Sequence, residues 1–224
     1  MTTTTDSYPV IPRSLPTGIA ALDDALGIGG LPTGRVVEVF GRPGVGCTTL
    51  ALSLIATAQG LGEVCAYVDV GSHLSTQHAV GLGVDLDTLL VSQPADSYQA
   101  LGVVEDLVAS GAVGLLVVDG VHNLQVDGDK PVGLVARLLS RALRTITGQA
   151  GRTGTTVVFV NQLQPKLGVT FGPSEVTSGG NALRYYSSVR LHVRRASGGR
   201  RIRVVKNKLH PPFAEASWQL SRSE

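Results

Sequence analysis

The residues whose types and spacing best suit chemistry are a run of glycines, the hydroxyls that follow them, and one distant aspartate. Gly41-Arg-Pro-Gly-Val-Gly46-Cys47-Thr48-Thr49 follows an apolar, β-branched run at residues 35–40 and precedes a helical pattern at residues 48–59. This is the setting required by the phosphate-binding motif G-x-x-x-x-G-K-[ST]. Its glycines let backbone N–H groups converge on phosphate oxygens, and the helix N-terminus adds a favourable dipole. Gly41, Arg42, Pro43, Gly44, Val45, Gly46, Cys47, Thr48 and Thr49 are therefore the candidate nucleotide-binding residues, with the Thr48 hydroxyl a candidate magnesium ligand. Cys47 stands where the motif has lysine. Losing that cationic contact to the phosphates costs on the order of 3 kcal/mol, roughly a hundredfold in rate. Backbone amides and magnesium can still hold a nucleotide, but fast hydrolysis is not expected. The cysteine itself has two readings: a thiol made reactive by the helix N-terminus, or a buried, inert replacement. The second phosphate-site element is Asp119, which ends Leu115-Leu-Val-Val-Asp119. An acid at the carboxyl end of a parallel strand positions magnesium or its water; the other reading is a cap on the turn before Gly120.

Elements that can hold these residues in place alternate along the chain. Apolar strands are expected at residues 35–40, 64–69, 88–92, 113–119 and 155–161, with helices at 48–59, 98–110 and 132–147. The run at 113–119 has the continuous apolar character of a strand buried on both faces. Gly111 closes the second helix, and Arg137, Arg141 and Arg144 mark the polar side of the third. Such alternation predicts an α/β domain with a mostly parallel central sheet flanked by helices. The C-terminal part changes style. Residues 188–193, 201–206 and 217–220 read as antiparallel strands, the first two joined by Ser197-Gly-Gly199. No internal repeat or linker interrupts the chain.

The 224 residues suit one large domain. No stretch reaches the roughly 18 consecutive apolar residues of a membrane helix, and Met1-Thr-Thr-Thr-Thr-Asp6 lacks the pattern of a signal peptide. Residues 1–14 are read as a disordered arm and 15–224 as the core of a cytoplasmic protein with no membrane contact. Two cysteines, Cys47 and Cys65, are too few for a disulfide framework or a zinc site. Net charge is only +2, yet Arg184, Arg190, Arg194, Arg195, Arg200, Arg201, Arg203, Lys206 and Lys208 crowd one stretch. That asymmetry fits an anionic partner, phosphate or nucleic acid, and equally a solvated hairpin face.

Several segments together resemble the core of the bacterial RecA recombinase family. They are Leu15-Pro-Thr-Gly-Ile-Ala-Ala-Leu-Asp-Asp-Ala-Leu26, Gly30-Leu-Pro-Thr-Gly-Arg-Val-Val-Glu-Val-Phe-Gly41, Leu82-Gly-Val-Asp-Leu-Asp-Thr-Leu-Leu-Val-Ser-Gln-Pro94, Gly133-Leu-Val-Ala-Arg-Leu-Leu-Ser-Arg-Ala-Leu-Arg144, Phe159-Val-Asn-Gln-Leu163 and Val204-Val-Lys-Asn-Lys-Leu-His-Pro-Pro-Phe213. The resemblance runs from about Leu15 to Leu220. It implies a RecA-like nucleotide-binding core that uses ATP and magnesium and polymerises on single-stranded DNA in recombination and repair. By the same resemblance, residues 41–49 form the phosphate loop and Asp119 assists magnesium. Gln162 senses the γ-phosphate, and Lys206 and Lys208 reach the ATP of a neighbouring subunit; the other reading of these lysines is a solvated hairpin. Two DNA-binding loops are implied. One corresponds to Val126-Asp-Gly-Asp-Lys-Pro131, shorter than usual, and the other to residues 164–180, with Lys166, Phe171, Gly172, Gly179 and Gly180 as candidates. A glycine-rich loop with basic and apolar residues can follow a phosphate backbone and wedge between bases. Gln164 stands where the family usually has an arginine.

The chain also departs from the family around the ATP. Tyr67-Val-Asp69-Val-Gly71-Ser72-His73 keeps the family's aspartate but has Gly71 where a glutamate activates water. Ser75 and His78 replace the adenine-contacting aspartate and tyrosine. The family's N-terminal helical arm and small C-terminal domain are not matched. These departures point to a divergent paralogue with weak or lost ATP hydrolysis that binds single-stranded DNA and a RecA-type recombinase, another repair factor or itself. The alternatives are a working, slow DNA-dependent ATPase that forms filaments, with Lys206 and Lys208 compensating, and a pure protein-interaction module of the repair machinery.

Overall fold

The computed structural model describes residues 13–125, 133–165 and 175–219. Two short strands, β1 (Ser14–Leu15) and β2 (Leu31–Pro32), pair antiparallel around helix α1 (Ala20–Leu26). Next come β3 (Val36–Gly41), α2 (Cys47–Gly60), β4 (Cys65–Asp69), α3 (Thr76–Gly81), β5 (Leu90–Ser92) and α4 (Ser97–Ser110). Strand β6 (Leu115–Asp119) leads through a 3-10 turn at Val121–Asn123 towards α5 (Leu134–Thr153) and β7 (Thr156–Pro165). The chain ends in β8 (Glu175–Thr177), α6 (Ala182–Tyr186), β9 (Val189–Ala196), β10 (Gly199–Asn207) and β11 (Glu215–Trp218).

The main sheet runs β11-β10-β9-β3-β7-β6-β4-β5, with β8 paired to the end of β7. From β9 to β5 every neighbour is parallel, whereas β9-β10-β11 is antiparallel. The expected α/β architecture with an antiparallel C-terminal section is therefore present. Parallel strands need crossovers, and these helices cover both faces, so the central strands are apolar on both sides. Val37, Val39, Cys65 and Tyr67 face α2, while Val36, Ala66, Val68 and Leu116 face α4 and α5.

Local chemistry explains where the helices begin and end. Asp96 caps α4 by accepting from the Gln99 amide at 2.8 Å, and Gln99 Oε1 accepts from the Ala95 amide at 2.6 Å. Gly111 ends α4 in the left-handed conformation. Helix α5 buries Leu139, Ala142, Leu143, Ile146 and Ala150 and leaves Arg137, Arg141 and Arg144 exposed. It runs six residues past the expected end at Thr147, through Gly148 and Gly151 to Thr153. Burial of Ile146 and Ala150 outweighs the roughly 1 kcal/mol that each glycine costs a helix. Strand β7 likewise continues past Asn161 to Pro165, because β8 pairs with Leu163, Gln164 and Pro165. The expected arm boundary at residue 14 falls inside β1. Among the described residues no helix is long and apolar enough to cross a membrane.

Candidate functional site

Register puts the candidate residues along one edge of the sheet. Gly41 at the end of β3 lies opposite Gln162 in β7; Asp119 at the end of β6 lies opposite Val160 in β7 and Asp69 in β4. Ligands in parallel α/β sheets bind at this carboxyl edge. Two adjoining cavities open there. One of about 300 Å³ is lined by the loop from Arg42 to Thr49 together with Asp119, His122, Gln162 and Arg200. The other, about 220 Å³, is lined by Thr48, Tyr67, Asp69, His73, Asp119, His122, Asn123 and Gln162.

The loop has the backbone its glycines promised. Gly46 precedes α2 with φ 101°, a left-handed conformation that strains any side chain. Gly41 is forced by close approach, since a Cβ there would press on the Val193 carbonyl and the Val45 side chain. The first amide of α2 to find a backbone acceptor is that of Leu50, which bonds to the Gly46 carbonyl at 2.9 Å. Among the described residues, the N–H groups of Gly44, Gly46, Cys47, Thr48 and Thr49 have no protein acceptor. That is a cradle of free donors at a helix N-terminus, and it fits a polyphosphate.

Asp119 is flanked on two sides. The Tyr67 hydroxyl donates to Asp119 Oδ2 at 2.8 Å, and Thr48 lies beside the carboxylate in the walls of both cavities. Burial pushes the Asp119 carboxyl above its ordinary range, against the lowering effect of the Thr48 and Tyr67 hydroxyls. Burial and the charge of Asp119 in turn raise the Tyr67 phenol, so it remains a donor. No cluster of three or more His, Cys, Asp or Glu residues able to hold a metal occurs among the described residues. A magnesium ion would instead rest on Thr48 and Asp119 together with phosphate oxygens and water, the usual sharing for this ion. His122 Nδ1 is buried without a hydrogen-bond partner among the described residues, in the wall of both cavities.

The Cys47 thiol is half-buried, and burial followed by the Asp119 charge raises its pKa to about 12. It is therefore neutral near pH 7, which matches the inert reading and not the activated one. Asp69 does structural work: its carboxylate accepts from the amides of His73 and Leu74 at 3.0 and 2.9 Å and from Gln93 Nε2 at 3.0 Å. A Cβ on Gly71 would collide with the His73 ring and the Asn123 amide. The space beside the missing glutamate is thus occupied by other side chains. Ser75 caps α3, and exposed His78 shares a 3.1 Å hydrogen bond with the Thr49 hydroxyl.

Gln162 is half-buried in the wall of both cavities, and its backbone N–H donates to Asn161 Oδ1 at 2.8 Å. Asn161 Nδ2 donates to buried Glu38 and to the Ser178 carbonyl, each at 3.0 Å. Glu38 also pairs with Arg190. Lys206 and Lys208 do not join the phosphate cavity of their own chain. They line a separate cleft of about 660 Å³ with Thr147, Asn181, Arg184, Tyr185 and Tyr186. Lys206 Nζ donates there to the carbonyls of Arg184 and Tyr185 at 2.7 and 3.0 Å, closing the end of α6. Burial and the nearby Lys208 and Arg190 charges bring its pKa down to about 8. Gly179 and Gly180 pack against Leu139 and Ala136 of α5 with φ of 80° and 71°. Lys166, Phe171, Gly172 and residues 126–131 lie outside the described residues.

Sequence reasoning passed over four contributors to the site: Tyr67, which anchors Asp119; His73 and His122, which enter the cavity walls; and Arg200, which reaches in from β10. Arg200 was visible only as one of many basic residues, and nothing local marks it as facing the loop.

Comparison with known proteins follows the same outline. The model of the RecA N-terminal domain family matches residues 5–224. Protein RecA of Cutibacterium acnes is 49% identical over an alignment covering 92% of this chain and 64% of that protein. Protein RecA of Rhodococcus jostii (strain RHA1) is 50% identical over the same shares, and that of Mycobacteroides abscessus is 49% identical. The chain thus spans a little under two thirds of the length of these relatives. Parallel sheet, phosphate loop and matched sequence agree: the chain belongs to the RecA N-terminal domain family.

Proposed function

We propose that this chain is a nucleotide-binding, RecA-like protein of DNA recombination and repair that holds ATP and magnesium, contacts single-stranded DNA, and hydrolyses ATP slowly or not at all. One observation carries the reading. The free amides of the loop, the Thr48–Asp119 pair and Gln162 converge on one cavity, while position 47 carries a neutral thiol and the space beside Gly71 is filled. The first half of that arrangement supports binding, and the second half argues against turnover.

The binding half rests on this chain's own groups. Amides of residues 44 and 46–49 would take the phosphates, with Thr48 and Asp119 towards the metal. Magnesium, when bound, would neutralise phosphate charge. Gln162 is placed to sense the outer phosphate and, through Asn161 and Ser178, to connect it with the segment that follows. Of the two carboxylates in the second cavity, Asp69 has both oxygens engaged in hydrogen bonds and Asp119 is assigned to the metal, which leaves neither to orient the attacking water. The family resemblance further supports a cytoplasmic protein whose partners are single-stranded DNA and a recombinase, either another copy of this chain or a different one.

The test is direct. Binding of magnesium ATP and its hydrolysis, with and without single-stranded DNA, are measured for the unmodified chain and for Cys47→Lys. Binding with near-background hydrolysis in the unmodified chain is expected. DNA-stimulated turnover at a recombinase-like rate would overturn the reading.

A further inference from the structure

The phosphate cavity has lost its lysine, but it has not lost every cation. Two arginines from the β9–β10 hairpin lean onto the loop. Arg195 and Arg200 are direct partners across the hairpin, an arrangement that ordinarily costs energy because like charges stand opposite each other. Here both reach loop carbonyls: Arg195 Nη2 donates to Gly44 at 3.4 Å and Arg200 Nε to Val45 at 2.6 Å. Arg200 also donates through Nη1 to the Gly199 carbonyl at 3.1 Å. It is half-buried and lines the cavity beside Gly44, Gly46, Cys47 and Thr48.

Neither Arg195 nor Arg200 pairs with a carboxylate among the described residues, although the hairpin arginines Arg194, Arg201 and Arg203 all do, with Glu215. Arg42, the other Lys or Arg on the cavity wall, is bonded to Glu175 at 2.8 Å. Arg200 therefore brings to the phosphate cavity a charge that forms no ion pair among the described residues. Its two hydrogen bonds fix the guanidinium in place and leave N–H groups unused out of its five. A pre-oriented planar donor of this kind suits phosphate oxygens.

We propose that Arg200 supplies in cis, from β10, the phosphate-binding charge that Cys47 does not provide. This rests on the reading of the loop as a nucleotide site, and it explains how that site keeps affinity without its lysine. The arginine approaches from the hairpin side of the loop, so it replaces the lysine in charge and not in position.

Calorimetric titration of the full chain with magnesium ATP tests this, with thermal melts without nucleotide to show that each variant folds. Arg200→Gln keeps a side-chain donor and removes the charge; it is expected to weaken binding about tenfold to a hundredfold. Arg200→Lys is expected to keep most of the affinity, and Cys47→Lys/Arg200→Gln to regain it. Unchanged affinity in Arg200→Gln overturns the proposal while leaving the nucleotide site standing. A loss that neither lysine variant recovers also overturns it, because Arg200 then only braces the loop. If the unmodified chain binds no magnesium ATP, the reading of the site itself falls, and this proposal with it.

Discussion

At position 47 a thiol with a pKa raised to about 12 replaces a permanent cation, so the loop keeps its hydrogen-bond donors and loses its strongest electrostatic one. Restoring the lysine should tighten magnesium ATP binding by about tenfold, the value of one charge-assisted hydrogen bond. Hydrolysis should stay low in the same variant, since Gly71 offers no carboxylate; titration and phosphate release measured side by side separate the two effects. Adding the glutamate alone is not expected to rescue turnover. A side chain on Gly71 meets the exposed His73 ring and the half-buried Asn123 amide, both of which must shift to admit it. Gly71→Glu should therefore lower the thermal midpoint, and His73→Ala with Asn123→Ala in the same chain should recover it. An unchanged midpoint for Gly71→Glu would mean that the histidine and asparagine yield freely and that the site was never closed.

Among the elements, β3 and β9 lie side by side and carry the loop and the hairpin that leans on it. Their contact is partly aromatic: Phe40 and His192 stack with centroids 4.9 Å apart, and the Arg190 guanidinium lies 4.5 Å from the Phe40 ring centre. Burial, helped by the Arg194, Arg190 and Arg203 charges and opposed by Glu175, lowers the His192 pKa below its ordinary 6.5. The sign follows from linkage. Below pH 6.5 the unfolded chain takes up this proton more readily than the folded one, so stability falls as acid is added and is fully present above that pH. His192→Phe keeps the stack and removes the proton. Relative to it, the unmodified chain should lose on the order of 1–2 °C of thermal midpoint between pH 7 and 5.5, a small effect because the ring is half-exposed. Parallel slopes for the two proteins would rule out His192 as a contributor. The strands and helices that bind the core were readable because their apolar periods are long, and β3, the loop and α2 were readable as a motif. The short elements β1, β2, α1, α3, α6 and β8 were not, since each exists through its packing or pairing and carries little periodicity of its own. The extension of β7 depends on β8 in the same way. Arg200 was hidden for a related reason: a strand's register decides which of Arg200 and Arg201 faces the loop, and a run of basic residues does not reveal it.

Over the whole molecule, the crowd of C-terminal cations divides into three populations that sequence alone could not separate, of which Arg195 and Arg200 on the phosphate loop are one. Arg194, Arg201 and Arg203 gather on Glu215 at 3.2, 3.5 and 3.8 Å, and Arg190 is paired with buried Glu38. Those four belong to a neutralised hairpin. Arg184, Lys206 and Lys208 have no acidic partner among the described residues, and they share the cleft at the end of α6, away from their own phosphate cavity. Under the proposed function this cleft would meet the nucleotide of a neighbouring copy, as the family resemblance implies; the other reading is a solvated edge of the hairpin. Lys208 is the clean probe, being exposed and with no side-chain hydrogen bond among the described residues, whereas Lys206 also closes a helix. Lys208→Ala should leave the thermal midpoint of the isolated chain unchanged, as surface substitutions away from packed features do. It should nevertheless weaken assembly on single-stranded DNA in the presence of magnesium ATP, read by sedimentation or light scattering. Lys206→Ala should weaken assembly and also lower the midpoint, by roughly 1 kcal/mol of lost capping. If the unmodified chain assembles and Lys208→Ala assembles equally well, the cleft does not meet a neighbour's phosphates, and its lysines are a solvated edge of the hairpin.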